Sequence, residues 1–370
     1  MHPWLADRTA HFDSSGIRKV FDLAAKLENP INLSIGQPDF PAPDAVKQAA
    51  VAAIHEDKNG YALTQGMPAL LSKLQARIDQ QWGHGDRQVM VTSGTSGALV
   101  LAMLALVDPG DEVIGFDPYF VMYPALTGMV GGRFVPIDSY PDFRIDAGKV
   151  AAAITPRTKA ILLNSPGNPT GVMADPAEIR AIAELAAERN IALVSDEIYR
   201  EFCYDGPLVS PAQWNDQAIV VDGFSKSHAV TGWRVGWAHG PAEVIQKMIA
   251  LQQYTFVCAP QPFQWAAAEA MGVDMTGTVD SYRRRRDYVV AGLREAGYDV
   301  AQPGGAFYAF PRVPEGRGTG SEFVARAIEH ELLIIPGAIF SQRDTHFRLS
   351  YVASQETLDR GLDVLRRMAE

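Results

Sequence analysis

The chain has 370 residues, 47% hydrophobic and 21% charged, enough apolar material for a sizeable core and, by length, for two domains. Its formal net charge of -10 argues against a broad electrostatic grip on nucleic acid or an anionic membrane surface. Two cysteines far apart, Cys203 and Cys258, give neither a disulfide framework nor metal-ligand spacing, and no run of apolar residues reaches membrane-spanning length. The first residues, Met1 to Arg8, lack the apolar core of a signal peptide, which predicts a cytoplasmic location.

The periodicity predicts an N-terminal arm with a short helix around Ile17 to Leu27, then an apolar strand and turn from Ile31 to Phe40. Gly36 in that turn either admits a ligand close to the backbone or serves the turn alone. A helix is expected over Asp44 to Ile54, and a loop over Tyr61 to Gly66. Next, the strand Val89–Thr92 runs through the small polar turn Ser93 to Ala98 into the apolar helix Leu99 to Leu106. That order aims free backbone N–H groups and hydroxyls at one point, which suits an anion such as phosphate; an ordinary Ser/Thr helix cap is the plainer alternative.

The strand Val113–Phe116 leads to Tyr119, Phe120 and Tyr123, which either stack on a planar ligand or pack in the core. The strand Ala160–Leu163 precedes Asn164-Ser165-Pro166-Gly167-Asn168-Pro169-Thr170-Gly171, where two prolines and two glycines restrict the loop around Asn168. Asp175 caps a helix with Pro176 at its first position. The apolar run from Ile191 then ends in Ser195-Asp196-Glu197-Ile198-Tyr199. A carboxylate at such a strand end needs a cation or hydrogen-bond donors.

After the strand Ala218–Val221 come Asp222-Gly223-Phe224-Ser225-Lys226 and, eight residues further, Arg234. Lys226 is predicted just beyond a strand's carboxyl end, where open α/β sheets bind ligands. It is either a desolvated amine able to attack a carbonyl, with an arginine nearby for an anion, or a loop lysine beside a structural arginine. Beyond Pro241 helices dominate. Among them is Tyr282 to Glu295, whose Arg283–Arg286 run reads as a solvated face. Strands are expected at Pro303–Phe310 and Phe347–Tyr351, before a C-terminal helix. The alternation predicts an α/β fold with a mainly parallel sheet covered on both faces and a smaller C-terminal α/β unit.

In this order, the segments Ser34–Phe40, Ser93–Leu99, Asn164–Gly171, Ser195–Tyr199, Phe224–Gly236, Gly304–Phe310 and Arg348–Ser350 carry a resemblance covering Ile31 to near the C-terminus. The chain resembles the fold-type-I pyridoxal-phosphate enzymes of the class I/II aminotransferase family. The resemblance implies a large domain over 31–265 with a seven-stranded-type sheet, a small domain over 266–370, and residues 1–30 as an arm that joins the latter. It implies that Lys226 binds the cofactor covalently and shuttles a proton, that Asp196 pairs with the pyridinium nitrogen, and that Asn168 and Tyr199 bond the phenolic oxygen. Thr95, Ser96, Ser225 and Arg234 would hold the phosphate, and Phe120 would stack on the ring. Arg348 would grip the substrate α-carboxylate beside Asn168 and the Gly36 backbone, while Tyr61 would reach the phosphate of a neighbouring subunit in a homodimer with shared active sites.

The implied activity is ping-pong transfer of an amino group from an L-amino acid to a 2-oxo acid, with aspartate and 2-oxoglutarate as the default pair. A carbon–sulfur β-lyase or a non-catalytic cofactor-binding regulator on the same fold are the alternatives. Two departures from the family's pattern are Gly223, where a hydroxyl is common, and Leu70-Leu71, where Leu-Arg is common. For the side-chain end of the pocket, Ile17, Tyr61 and Cys258 are candidates, with core packing the better explanation of each.

Overall fold

A computed structural model describes residues 2–6, 8–9, 12, 29–83 and 86–370; the helix expected around Ile17 to Leu27, and Ile17 itself, lie outside the described residues. After the two-residue strand β1 (Ile31–Asn32), the chain forms helices Asp44–His55 and Pro68–Trp82. Six strands of the main sheet then follow, β2 (Arg87–Ser93), β3 (Glu112–Asp117), β4 (Arg133–Asp138), β5 (Thr158–Asn164), β6 (Ala192–Asp196) and β7 (Ile219–Gly223), completed by β8 (Val235–Pro241). Their spatial order is β2-β8-β7-β6-β5-β3-β4. The pairs β3–β4, β3–β5, β5–β6 and β6–β7 are parallel, whereas β8 is antiparallel to both β7 and β2.

Side-chain alternation along these strands explains why both faces are covered. Val113, Leu162 and Val194 point to one face, against helices Gly94–Leu106, Met122–Met129 and Ala242–Thr255. Their neighbours Ile114, Ile161 and Leu193 point to the other, against Ala147–Ala153 and Pro176–Glu188. The last of these helices starts as its sequence dictates: Asp175 accepts a hydrogen bond from Ala177 N at 2.8 Å, with Pro176 in the first turn.

The C-terminal part is built from helices Thr276–Glu295, Gly320–Glu329 and Gln355–Ala369 around two small sheets. The first pairs β1 with β10 (Leu332–Leu333), and the second runs β11 (Ile335–Pro336), β12 (Phe347–Ser350), β9 (Tyr308–Ala309). Its core is aromatic: Phe202, Tyr282, Phe307, Phe323 and Phe347 are all buried in one cluster. No helix among the described residues is long and apolar enough to cross a membrane.

Three expectations are corrected. The segments Ile31–Phe40 and Pro303–Phe310 pair as strands over only two residues each: after β1 the backbone turns at Ile35–Gln37 to line a cavity, and before Tyr308 it is held instead by hydrogen bonds to Phe202, Tyr204 and Gly171. The Arg283–Arg286 run is not uniformly solvated: Arg286 is buried, donating to Asp205 and to Pro303 O, and Arg285 bonds Asp39. A helix face that turns inward at one of four consecutive arginines needs such partners for the guanidinium.

Candidate active site

Because β8 is reversed while β2 runs with β7, the carboxyl ends of β2, β3, β5, β6 and β7 and the entry to β8 meet at one edge of the sheet. The residues there line a cavity of about 350 Å³. Eleven of the twelve residues singled out in the sequence are in its wall: Gly36, Thr95, Ser96, Phe120, Asn168, Asp196, Tyr199, Ser225, Lys226, Arg234 and Arg348. Tyr61 is absent from it and lies 86% exposed on this chain, so it is not a core residue either. Cys258 is half-buried and outside the lining.

Lys226 donates from Nζ to Gly36 O at 2.6 Å. Burial, helped by the nearby Arg348 and Arg234 and opposed by Asp196, pulls its ammonium down to about 8. Asp196 is also buried, which pushes its carboxyl up to about 6 against hydrogen bonds from Tyr123 Oη at 2.8 Å and Ile198 N at 3.3 Å. A cation brought to its remaining lone pairs would restore the charged form.

Arg348 is wholly buried. It donates to Asn168 Oδ1 and to Ser34 O, both at 3.0 Å, its guanidinium lies over the Tyr308 ring at 4.4 Å, and its Nε has no partner. Tyr199 and Tyr308 share a hydroxyl hydrogen bond of 3.0 Å. The side chain of Asn164 accepts from Asn168 N at 2.9 Å and donates to Asp196 O at 3.0 Å, tying the loop after β5 to the end of β6.

At the start of helix Gly94–Leu106, the Ser93 side chain makes no capping bond, contrary to the plain cap reading. Thr95 Oγ1 is buried without a partner. Arg234 reaches the same point, donating to Thr231 O at 2.9 Å, and a Cβ at Gly94 would collide with its guanidinium. An unpartnered hydroxyl, free helix N–H groups and an arginine form a donor set that fits a phosphate. An aromatic wall from Phe120 and a buried carboxylate at Asp196 fit a protonated planar heterocycle, and a depressed lysine fits covalent attachment of its carbonyl.

Among the other wall residues, sequence reasoning assigned no role to three whose side chains hydrogen-bond the predicted ones. Tyr308 belongs to the C-terminal part and meets Tyr199 across 109 positions, which no local pattern announces. Asn164 was visible only as part of the loop. Tyr123 was grouped with its aromatic neighbours, its hydroxyl's role depending on β6.

The family described as Aminotransferase class I and II matches residues 28–365. The chain belongs to the class I and II aminotransferases. This aminotransferase is 36% identical to a probable aspartate aminotransferase of Methanocaldococcus jannaschii, covering 99% of this chain and 100% of that one. It is likewise 36% identical to an aspartate/prephenate aminotransferase of Thermus thermophilus, over 95% and 94% of the two chains. The solved structure of the Thermus thermophilus aspartate aminotransferase with maleate superposes at a TM-score of 0.93, with 34% identity and coverage of 98% and 99%. The aminotransferase is accordingly a pyridoxal-phosphate-dependent transaminase that moves an amino group between an amino acid and a 2-oxo acid.

Proposed function

We propose that Lys226 is the covalent anchor and the proton carrier of this transaminase, with aspartate and 2-oxoglutarate as its substrate pair. Bound pyridoxal phosphate supplies an electron sink for the charge left on the substrate's Cα. At neutral pH an amine near 8 is roughly one-tenth unprotonated, so Lys226 takes a proton from Cα and returns one with a base strength matched to the task. Asp196, held by Tyr123, carries the negative charge that keeps the ring nitrogen protonated. Asn168 and Tyr199 donate to the phenolic oxygen, and Phe120 covers the ring.

Thr95, Ser96, Ser225 and Arg234 hold the phosphate. Arg348 lines the cavity, and a guanidinium fork meets both oxygens of an α-carboxylate where an ammonium cannot. The Gly36 backbone lines the same wall, where a Cβ would stand 2.6 Å from Tyr308 Oη. The aspartate assignment rests on the names of the relatives.

A homodimer, a cytoplasmic location and two domains complete the proposal. Tyr61, Tyr254 and Phe256 are exposed aromatics on the single chain, a surface that a second copy would cover while bringing Tyr61 to its partner's phosphate site. Two unpaired cysteines suit a reducing compartment. The division is taken as 31–265 and 266–370, with residues 1–30 as an arm of the smaller unit; the clustering of Tyr282, Phe307, Phe323 and Phe347 supports a C-terminal unit, whose core also takes in Ile31, Leu33, Tyr199 and Phe202.

The observation that carries the reading is the meeting of a depressed lysine, a buried carboxylate and a buried arginine in one cavity. The test is the visible absorbance of the protein with pyridoxal phosphate, mixed with single amino acids and no acceptor. Conversion to the pyridoxamine form with aspartate is expected, as is its loss in Lys226→Ala; turnover by that variant would refute the assignment. Release of pyruvate and ammonia without conversion would identify an eliminating enzyme instead.

A further inference from the structure

Asp196 and Lys226 stand at the ends of adjacent strands, and their separation sets the geometry of the reaction proposed above. The β6–β7 ladder has its last paired residues at Asp196 and Val221, closed by Glu197 N donating to Val221 O at 2.9 Å. Beyond that rung the strands part, one turning to Tyr199 and the other rising into the Lys226 segment. Immediately past it, on the sheet face away from the catalytic cavity, the Arg200 guanidinium bonds Glu197 Oε2 and sits 3.4 Å through Nε from Asp222 Oδ2.

All three side chains are nearly withdrawn from solvent. Glu197 Oε1 is held by Ser210 Oγ at 2.6 Å and Ser195 Oγ at 3.1 Å, and Asp222 Oδ1 accepts from Gly223 N at 2.6 Å. Arg200 itself lies over the Trp82 ring. One arginine thus joins the residue after Asp196 to the residue four before Lys226.

The Lys226 segment has open space on both sides. Ser225 and Lys226 line the catalytic cavity; Asp222, Gly223, Ser227 and His228 line a second cavity of about 330 Å³, and Ile198 is in the wall of both. Phe224 against Trp237 and His228 Nε2 on Ala270 O anchor the segment's far side. Phe224 and Val230 hold the segment in the core beside it, and the polar tie at its base fixes where the chain leaves β7 relative to the end of β6.

We propose that Arg200, bridging Glu197 and Asp222, is a positioning residue that fixes Lys226 relative to Asp196. The proposal rests on the reading of Lys226 and Asp196 given above. Asp222→Asn is the sharper variant. Gly223 N and Arg200 Nε are both donors, each facing one carboxylate oxygen, and an amide offers a single acceptor, so one tie is lost at almost no change in shape. In Arg200→Lys a single ammonium replaces a fork that spans two carboxylates.

Displacing a reacting group by about 1 Å costs up to about a hundredfold in rate. The expected result for both variants is therefore a fall in kcat of about tenfold or more. The KM for the amino acid should stay within about twofold, since Arg348 and Asn168 are untouched, and the pH midpoint of the bound cofactor's visible band should move. If Arg200→Lys does not fold, Asp222→Asn decides alone. Wild-type kcat and band midpoint in Asp222→Asn, with any change confined to the melting temperature, would overturn the proposal. Wild-type protein measured alongside separates the two questions: no band there refutes the assignment of Lys226, whereas normal bands and rates throughout refute only the tie.

Discussion

Replacing Lys226 by methionine removes the proposed anchor, and the burial of its charge makes the apo-protein's response predictable. The native ammonium is held at about 8, against 10.5 unperturbed, so the unfolded chain binds more protons between those values and stability rises with pH through that window. The penalty for the buried charge is fully present below pH 8, at about 3 kcal/mol. Methionine escapes it, keeps the apolar stem, and leaves Gly36 O without its donor at a cost of about 1 kcal/mol. Lys226→Met is therefore expected to stabilise the apo-protein by about 2 kcal/mol at pH 7. At pH 9.5 the native lysine is mostly neutral and only about 1 kcal/mol of the penalty survives, so the advantage shrinks to about zero. Urea unfolding of both apo-proteins at equal concentration and at both pH values measures this. A variant less stable than wild type at pH 7, or a difference that does not change with pH, would refute the reasoning.

Arg348→Lys is expected to raise KM for α-amino acids by about 10- to 100-fold, the worth of a charged hydrogen-bonded contact, with a smaller effect on kcat; steady-state kinetics with an unchanged KM would count against the α-carboxylate site. Tyr123→Phe removes a donor from Asp196, whose carboxyl then rises further above 6, and weakens pyridoxal phosphate by about tenfold in an equilibrium titration; full affinity would show that the hydroxyl does not support the carboxylate. Tyr61→Phe should leave urea stability within about 0.5 kcal/mol, the residue being exposed, yet weaken cofactor binding several-fold if it reaches a second subunit. Equal affinity would remove it from the site.

The parts of the site read from sequence are those whose chemistry is local. Asp196, Asn168, Phe120 and Lys226 each follow a short apolar run within a few residues, so the strand and the reactive side chain are seen together. The Asp175-Pro176 helix start is legible for the same reason. What escaped depends on contacts between distant segments. Tyr308 carries no signal until Tyr199 is placed against it, and Arg286 looks like the three arginines before it until Pro303 O and Asp205 are brought to it. The strand β8 was absorbed into the motif that precedes it, because Val235-Gly236-Trp237 alternates too weakly to announce a strand without β2 and β7 alongside.

That reversed strand also decides where the chain tolerates being cut. Since β8 enters the sheet at the same edge that β7 leaves, the eleven positions from Phe224 to Arg234 never cross to the opposite edge, and they are wound tightly, with Ala229 and Arg234 both at φ 55°. The proposed anchor lysine and phosphate arginine therefore travel as one uninterrupted piece of chain, inherited or transplanted together. The opposite edge, where Asp108–Asp111 links a helix to β3 and β8 ends at Pro241 before the next helix, carries none of the proposed site residues. New termini introduced at Pro109–Gly110 should leave a working enzyme, while a nick at Ser227–Val230 should silence it.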